Sequence, residues 1–345
     1  MTDRALAALL ACATPFELPL STTFRGVRSR EGVLLCGSSG WGEFMPFLDY
    51  SDEACALWLA NAIEAAFGQW PSPRRSHIPV NAIIPATDPQ SAAAMAYRAY
   101  VGDGCTTVKV KVAESGQSLD DDIARLDAVR SAMISAAVPD PKIRIDANCG
   151  WTVSEAVTAI RELDQVAHGL EYVEQPCPTL EDLRDLRRLV AVPIAADESI
   201  RLAADPVRAA QMGAVDVVVV KVQPIGGVGL ALEVCRAANV PVVVSGAMDS
   251  SVGLAAPLAL AAALDDLPYA CGLGTGALLA ADLVPDPLRA RSGTLPATRT
   301  TPDPSALATA AARLPSTRQK FWKDRLTRAW QAGADALSGR LIPVE

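Results

Sequence analysis

A strand-and-helix unit that repeats from about residue 79 onward is the feature that most limits what this sequence can fold into. Each unit has a short β-branched run, a turn and an amphipathic stretch of helical length. Such alternation is typical of parallel strands joined by crossover helices, and eight units over roughly 200 residues predict a β/α barrel. The predicted strands are residues 78–84, 106–112, 142–148, 170–176, 193–199, 215–222, 241–246 and 269–273.

The sequence on either side of this repeat has a different character. Residues 1–77 combine hairpin-like strands with a helical stretch at 52–67, which predicts an α+β capping domain. Residues 78–281 form the predicted catalytic barrel. Residues 282–345 are rich in proline and arginine and end in an amphipathic helix at 318–337, which we expect to pack back on the cap.

Charge and cysteine usage exclude several classes of protein. A formal net charge of -8 argues against nucleic acid or an anionic membrane surface as a partner, because both attract basic proteins. No apolar run approaches the ~20 residues of a membrane span. Eight cysteines without a C-x-x-C pair are typical of reduced thiols in a cytoplasmic protein. Residues 5–13 resemble a weak signal peptide, but Asp3 precedes them, so we expect a cytoplasmic protein with a small-molecule partner.

Charged side chains occur at regular places within the predicted strands. In residues 106–112, the two-residue period of a strand puts Lys109 and Lys111 on one face and three valines on the other. The valines should face the helices, so the lysines are expected to point into the barrel. By the same reasoning, further polar side chains point inward near the carboxyl ends of their strands. They are Arg144, Asp146, Asn148, Glu174, Asp197 and Lys221.

Each of these charges, taken alone, is explained equally well as an ordinary strand-end charge in contact with solvent. Five consecutive strands that each present an inward ionisable group at one level are harder to explain in that way. Removing a charge from water costs several kcal/mol unless a partner or a metal compensates. The pattern as a whole therefore indicates an active site. Glu198 faces outward by the same reasoning and is expected to be a structural hydrogen-bonding residue.

Three of the inward groups are carboxylates on successive strands. Asp146, Glu174 and Asp197 are separated by 28 and 23 residues, about one β/α unit each. Converging carboxylates repel one another, and a hard divalent cation relieves the repulsion, with all-oxygen ligands favouring Mg²⁺ or Mn²⁺ over zinc. The chain has two histidines, His77 and His168, and neither lies near a predicted strand end, which argues against a histidine-rich metal site.

Two lysines are predicted to flank this metal site. Lys111 and Lys221 lie on the second and sixth predicted strands, on opposite sides of the barrel. A metal-bound carboxylate has a more acidic α-carbon, and the metal stabilises the enediolate left when that proton is removed. A lysine acts as a base when a neighbouring cation favours its neutral form, which gives Lys109 and Lys221 a reason to lie near Lys111. The residues thus predict proton transfer next to a substrate carboxylate.

These residues stand in motifs that resemble the enolase superfamily and, within it, the muconate-lactonising subgroup. The motifs are Lys109-Val-Lys111, Asp146-Ala-Asn148, Glu174-Gln-Pro176, Asp197-Glu-Ser199 and Lys221. Segments at residues 24–26, 40–44, 173–177, 195–199, 223–227, 250–254 and 269–273 resemble the actinobacterial type of the o-succinylbenzoate synthase family. The resemblance covers nearly the whole chain and implies an α/β fold, an enolase-like barrel with an α+β cap completed by the C-terminal tail.

The resemblance also implies a reaction and a set of site residues. The enzyme would be a Mg²⁺-dependent carbon–oxygen lyase of menaquinone biosynthesis, in which Mn²⁺ can substitute. It would dehydrate a hydroxylated cyclohexadiene carboxylate with a succinyl side chain, by syn elimination through an enediolate, to o-succinylbenzoate. Lys111 would remove the α-proton and protonate the leaving hydroxyl, while Lys221 would stabilise the enediolate as a cation. The metal ligands would be Asp146, Glu174 and Asp197, and the substrate-binding residues would be Lys109, Asn148, Ser245, Gly246 and Gly272. Arg25 lies in a loop at 21–31 and is expected to bring a cation to the carboxylated substrate over the barrel mouth, the alternative being an ordinary surface residue.

Differences from relatives argue against some of the activities that occur within the superfamily. Dipeptide epimerases carry an Asp-x-Asp pair where this chain has Gly272-Leu-Gly274, and mandelate-racemase relatives need a histidine where it has Ser245-Gly246. Many relatives have two serines at that second place and an acidic residue two positions further on, where this chain reads Met248-Asp249. The resemblance therefore does not assign the contacts of the succinyl side chain.

Three other functions remain open on the sequence. An N-succinylamino acid racemase, or another proton-transfer enzyme of the subgroup, uses a lysine on each side of the α-carbon. A Schiff-base aldolase would use a strand-six lysine such as Lys221 but has no need for three converging carboxylates. A non-catalytic binding module would need the metal but neither lysine.

Overall fold

The N-terminal residues form a cap of two helices and a three-stranded antiparallel sheet. The computed structural model describes residues 2–24, 26–201 and 205–343. The cap elements are α1 (Thr2–Ala11), β1 (Ala13–Phe24), β2 (Val27–Gly37), β3 (Gly40–Phe44) and α2 (Asp52–Phe67). In the sheet, β2 lies between β1 and β3. Ser51 accepts a hydrogen bond from the Ala54 amide and so begins α2, which confirms the helix predicted at 52–67.

A curled parallel sheet forms the centre of the second part of the chain. The strands of this part are β4 (His77–Pro79), β5 (Ala82–Ile84), β6 (Thr107–Lys111), β7 (Lys142–Asp146), β8 (Val173–Glu174), β9 (Ile194–Ala196), β10 (Val217–Val220), β11 (Val242–Val244) and β12 (Thr294–Pro296). Within the described residues the curled sheet has seven strands, β5 to β11, and their spatial order follows their order in the chain. A separate two-stranded sheet pairs β4 with β12 in antiparallel fashion.

Two of the eight predicted strands differ from the structure. The strand predicted at 78–84 is divided, because the chain leaves its pairing with β12 at Val80 before it enters the parallel sheet as β5. The strand predicted at 269–273 is reduced to isolated parallel bridges, Val80 with Cys271 and Ser245 with Gly272, which join the two edges of the curled sheet. Glycine supports a regular strand poorly, and a Cβ at Gly272 would lie 2.8 Å from Ser245 Oγ.

Helices cover the outside of the curled sheet. Side chains such as Val108, Val110 and Ile145 point outward and are buried in one core with Leu126 and Val129 of the helix Leu119–Ser135. Inward-pointing side chains form a second, smaller cluster that contains Tyr172, Ala195, Val217, Val219 and Val243. The helices are α3 (Pro89–Val101), α4 (Leu119–Ser135), α5 (Val153–Ala167), α6 (Leu180–Arg187), α7 (Asp205–Gln211), α8 (Val222–Ile225), α9 (Val228–Ala238) and α10 (Ala255–Ala263).

The C-terminal residues return to the cap. Trp322 and Trp330 are buried in one cluster with the cap residues Phe44 and Trp58. The continuous helix predicted at 318–337 is interrupted, because Gly333 takes a φ of 136° that no α-helix accommodates. The elements are α11 (Pro304–Ala312), α12 (Ser316–Ala329), a π-helical turn (Trp330–Ala334) and α13 (Asp335–Ser338). Among the described residues, no helix combines the length and apolar character of a bilayer-crossing segment.

Candidate active site

Six charged side chains meet at the carboxyl ends of adjacent strands. All of them are buried, with 1 % to 9 % of their surface exposed. Strand register sets their common level, because Lys111 lies opposite Asp146 and Asp146 lies opposite Glu174 in the parallel ladder. The structure thus brings together the residues for which the sequence predicted a shared site: Lys109, Lys111, Asp146, Glu174, Asp197 and Lys221.

The two lysines of β6 both reach the carboxylate at the end of β7. Lys109 Nζ donates to Asp146 Oδ2 at 3.0 Å and to Glu174 Oε1 at 2.6 Å. Lys111 Nζ donates to the same Asp146 oxygen at 2.5 Å and to Asn148 Oδ1 at 2.6 Å. Two cations therefore share one carboxylate oxygen on this side of the site.

The opposite side of the site is organised around Asp197. Lys221 Nζ donates to both of its carboxylate oxygens, at 2.6 Å to Oδ1. Arg201 lies 3.2 Å from the same Oδ1 and also bonds Glu198 at 3.1 Å. Asn148 Nδ2 donates to Glu198 Oε1 at 3.1 Å, so Glu198 links the Lys111 side of the site to the Lys221 side.

Electrostatics divide the three carboxylates into two kinds. Burial alone would raise the pKa of Asp146, but Lys109 and Lys111 outweigh it and hold that pKa well below its usual range. Burial is likewise outweighed at Asp197, where Lys221 and then Arg201 lower the pKa. Glu174 behaves differently, because burial and the neighbouring Asp146 charge raise its pKa to about 7. The pKa of Glu174 is therefore shifted in the direction opposite to those of Asp146 and Asp197.

The donor set at this place fits a hard divalent cation. The three carboxylates come from adjacent strands, and Glu174 Oε2 is buried without a hydrogen-bond partner among the described residues. Among the described residues, no three His, Cys, Asp or Glu side chains are already arranged around a metal position. At this site the lysine ammonium groups bond the carboxylate oxygens instead. Oxygen-only ligands and a buried oxygen without a partner are what Mg²⁺ or Mn²⁺ would use.

A small cavity opens directly above these charges. Its walls combine the lysines and carboxylates with a glycine-containing loop and several apolar side chains. Space is restricted at Gly246, where a Cβ would lie 2.6 Å from Asp249 Oδ2. Besides Lys109, Lys111, Asp146, Asp197 and Lys221, the cavity is lined by Phe47, Ile83, Ser245, Gly246, Ala247, Met248 and Thr275.

Five of these cavity residues were not predicted from the sequence. Phe47 comes from the cap, and Ile83, Ala247, Met248 and Thr275 come from strands or loops of the barrel. The first four are apolar, and nothing in the sequence separates them from core residues. Thr275 Oγ1 is buried and has no hydrogen-bond partner among the described residues, a property that only the folded chain reveals.

Other residues singled out in the sequence lie elsewhere. Arg25 falls outside the described residues. Arg144 points inward as expected but is buried below the site, where it bonds Glu171, Tyr172 and the Ala270 carbonyl. Gly272 lies beside Ser245 at the edge of the curled sheet. The two histidines are exposed.

A pair of buried carboxylates joins the cap to the barrel next to the cavity. Glu43 of β3 accepts hydrogen bonds from the Ser250 amide and hydroxyl. Asp249 accepts from the Ala247 amide at 2.7 Å and from Gln223 Nε2 at 2.5 Å. Burial, reinforced by the Asp249 charge, raises the pKa of Glu43 to about 8.

This raised pKa predicts a pH-dependent stability. Between pH 4.5, the ordinary pKa, and about pH 8, Glu43 keeps its proton in the native state but loses it in the unfolded state. The stabilisation from protonated Glu43 is therefore complete below pH 4.5 and is lost as the pH rises toward 8. The Glu43→Gln variant mimics the protonated acid, so we expect its free energy of unfolding to fall less steeply than that of wild type over this range, with a difference in slope of up to about 1.4 kcal/mol per pH unit. Urea unfolding at several pH values measures the difference. The exposed Glu114→Gln is the control, and parallel curves for wild type and Glu43→Gln would refute the assignment.

Solved structures of known proteins share this architecture. The muconate lactonizing enzyme from Pseudomonas fluorescens, complexed with muconolactone, has a TM-score of 0.74 at 20 % identity, over 86 % of this chain and 97 % of that one. The L-Ala-D/L-Glu epimerase from Bacillus subtilis has a TM-score of 0.71 at 24 % identity, over 84 % and 96 %. At these identities the similarity establishes the fold alone.

Sequence comparison defines the class of protein. Residues 91–302 match the family described as Enolase C-terminal domain-like, and residues 16–66 match Enolase N-terminal domain-like. The chain therefore belongs to the enolase superfamily, and within it to the o-succinylbenzoate synthase family, as two of its curated relatives show. The o-succinylbenzoate synthase of Thermobifida fusca (strain YX) is 54 % identical over 82 % of this chain and 86 % of its own length. That of Mycobacterium tuberculosis (strain ATCC 25177 / H37Ra) is 48 % identical over 93 % and 94 %. The family consists of dehydratases, so this chain is an enzyme of the carbon–oxygen lyase class.

Proposed function

We propose that this enzyme dehydrates a hydroxylated cyclohexadiene carboxylate with a succinyl side chain to o-succinylbenzoate, as a step of menaquinone biosynthesis. The observation that carries the proposal is the arrangement of Lys111 and Lys221 on opposite sides of three buried carboxylates. Close relatives over most of the chain carry the name of this activity.

Asp146, Glu174 and Asp197 would hold Mg²⁺, or Mn²⁺ in its place. The metal, when bound, would make the α-carbon of a coordinated carboxylate more acidic and stabilise the enediolate. Glu174 Oε2 supports this assignment, because it is buried and hydrogen-bonds to no described residue.

Lys111 would act twice on the same face of the substrate. Its neutral amine would take the α-proton, and the C–H electron pair would enter the enediolate. Its ammonium would then protonate the hydroxyl group, whose C–O bond breaks as water leaves. Asn148 Oδ1, 2.6 Å from Lys111 Nζ, would keep the amine aimed at the cavity during both steps.

Lys221 would remain charged and face the developing negative charge from the other side. Lys109 bonds two of the carboxylates, so it would hold them in place and add positive charge near Lys111. Ser245, Gly246 and Gly272 would form the wall for the succinyl side chain, with Arg25 and Asn148 as further substrate contacts. The described cysteines are all free thiols, which supports a reducing compartment such as the cytoplasm.

A second candidate is racemisation of N-succinyl amino acids. One specific observation favours it: a lysine stands on each side of the carboxylate cluster, as two-base proton transfer requires. In that reaction Lys221 would give and take a proton. The same residues would serve both activities.

One assay tests the proposed function. The purified enzyme is given the cyclohexadiene substrate and, separately, N-succinyl amino acids, with Mg²⁺ or after EDTA treatment. We expect the aromatic product to form with Mg²⁺, to cease with EDTA and to return with Mg²⁺ or Mn²⁺. Racemisation without dehydration would replace the proposal by the second candidate. Dehydration at an unchanged rate in EDTA, or full activity of a metal-free Asp197→Asn variant, would contradict the assignment of Asp146, Glu174 and Asp197 as metal ligands.

A further inference from the structure

A buried glutamine connects the three strands that carry the carboxylates. Gln175 follows Glu174 directly and is completely buried. Its backbone amide donates to the Ala195 carbonyl on β9, and its backbone carbonyl accepts from the Cys149 amide, three residues after Asp146. Gln175 is therefore hydrogen-bonded to the chain segment on each side of it, close to Asp146 on one side and to Asp197 on the other.

The side chain of Gln175 holds the loop that bears Asp197. Its Oε1 accepts from the Asp197 amide at 2.8 Å, from the Ser199 amide at 3.2 Å and from Ser199 Oγ at 3.0 Å. Its Nε2 donates to the Cys177 carbonyl at 2.8 Å, which fixes the direction of the amide. Every polar atom of the side chain is thus used.

The backbone of Gln175 is held in an unfavourable region. Its φ is 37°, in the left-handed region that non-glycine residues avoid. Strain of this kind persists only where surrounding structure enforces it. At this position the side chain bonds the loop that bears Asp197.

We propose that Gln175 is a positioning residue that fixes the carboxylate of Asp197 relative to those of Asp146 and Glu174 and thereby sets the affinity for the divalent cation. This inference rests on the metal site of the proposed function. Residues that orient metal ligands without touching the metal typically change its affinity 10–100-fold when replaced.

Two variants with opposite expectations test the role. Gln175→Met keeps the size of the side chain but removes all four hydrogen bonds, so we expect its dissociation constant for Mn²⁺ to rise about 10–100-fold. Gln175→Glu keeps an acceptor at the position of Oε1 and, because burial beside three carboxylates favours its neutral form, an O–H donor for the Cys177 carbonyl, so its affinity should stay nearer to wild type than that of Gln175→Met. If Gln175 only filled space, both variants would bind Mn²⁺ as wild type does.

The measurement is a titration with Mn²⁺, with the free ion followed by electron paramagnetic resonance, together with the melting temperature of each variant. Gln223→Met is the matched control, because Gln223 is an equally buried glutamine whose side chain bonds Asp249 rather than the loop of a ligand. Its Mn²⁺ affinity should match wild type even if its melting temperature falls.

The outcomes separate this role from the metal site itself. Weaker binding in Gln175→Met, with wild-type-like binding in Gln175→Glu and Gln223→Met, supports the positioning role. Unchanged Mn²⁺ affinity in Gln175→Met overturns it, and if Asp197→Asn loses affinity in the same titration, the ligand assignment still stands. Absence of Mn²⁺ binding by the wild-type enzyme overturns both.

Discussion

Replacing Lys111 by alanine should reduce kcat for dehydration by at least ~10²- to 10⁴-fold, the contribution expected from a general acid–base group. The loss should be large because one amine serves both the removal of the α-proton and the departure of the hydroxyl group. No other described amine bonds both Asp146 and Asn148. Steady-state kinetics with saturating Mg²⁺ measures the effect.

A chemical role must be separated from a role in holding the site together. Lys109 still bonds Asp146 and Glu174 when Lys111 is removed, so Mn²⁺ affinity should survive in Lys111→Ala. Lys142→Ala is the control, because Lys142 lies on the neighbouring strand but pairs with the exposed Asp140. A kcat within about tenfold of wild type, below the usual range for such a group, would mean that Lys111 is not the base.

The inward direction of the charged residues was predictable because side chains alternate strictly along a strand. The buried valines at 108 and 110 fix the outer face of β6 and so leave Lys109 and Lys111 facing the interior. The common level of the carboxylates was also predictable, since parallel strands in an eight-unit repeat end at the same side of the sheet. The first rule acts within a single strand, and the second follows from the strand-and-helix repeat alone, so neither needs knowledge of individual side-chain contacts.

Features that depend on contacts between distant segments were not predictable. Phe47 reaches the cavity from the cap, a part of the chain far from the barrel strands in sequence. The eighth strand was overestimated because its apolar pattern did not reveal how closely Gly272 passes Ser245. The sequence did hold a signal for Gln175: it is a polar residue on the outward face of a strand, among buried neighbours, and such a residue requires hydrogen-bond partners. The sequence does not show which residues those partners are.

Replacing Lys221 by arginine should distinguish dehydration from racemisation more sharply than any other single change. In the proposed dehydration Lys221 acts as a cation, held by both oxygens of Asp197. Arginine keeps the charge but changes its shape and hydrogen bonding, so dehydration should fall less in Lys221→Arg than in Lys221→Ala. Racemisation needs a proton to leave and return at this position, which a guanidinium with a pKa above about 12 does not allow.

The test compares both reactions in wild type, Lys221→Arg and Lys221→Ala, at one Mg²⁺ concentration. We expect racemisation by Lys221→Arg to fall by about 10²-fold or more, the size of a lost acid–base group, while dehydration keeps a measurably larger fraction of its rate. The melting temperature and Mn²⁺ affinity of each variant control for the lost contact with Asp197. If both reactions fall by the same large factor in Lys221→Arg, Lys221 exchanges a proton in both, and its assignment as a fixed cation in dehydration is wrong.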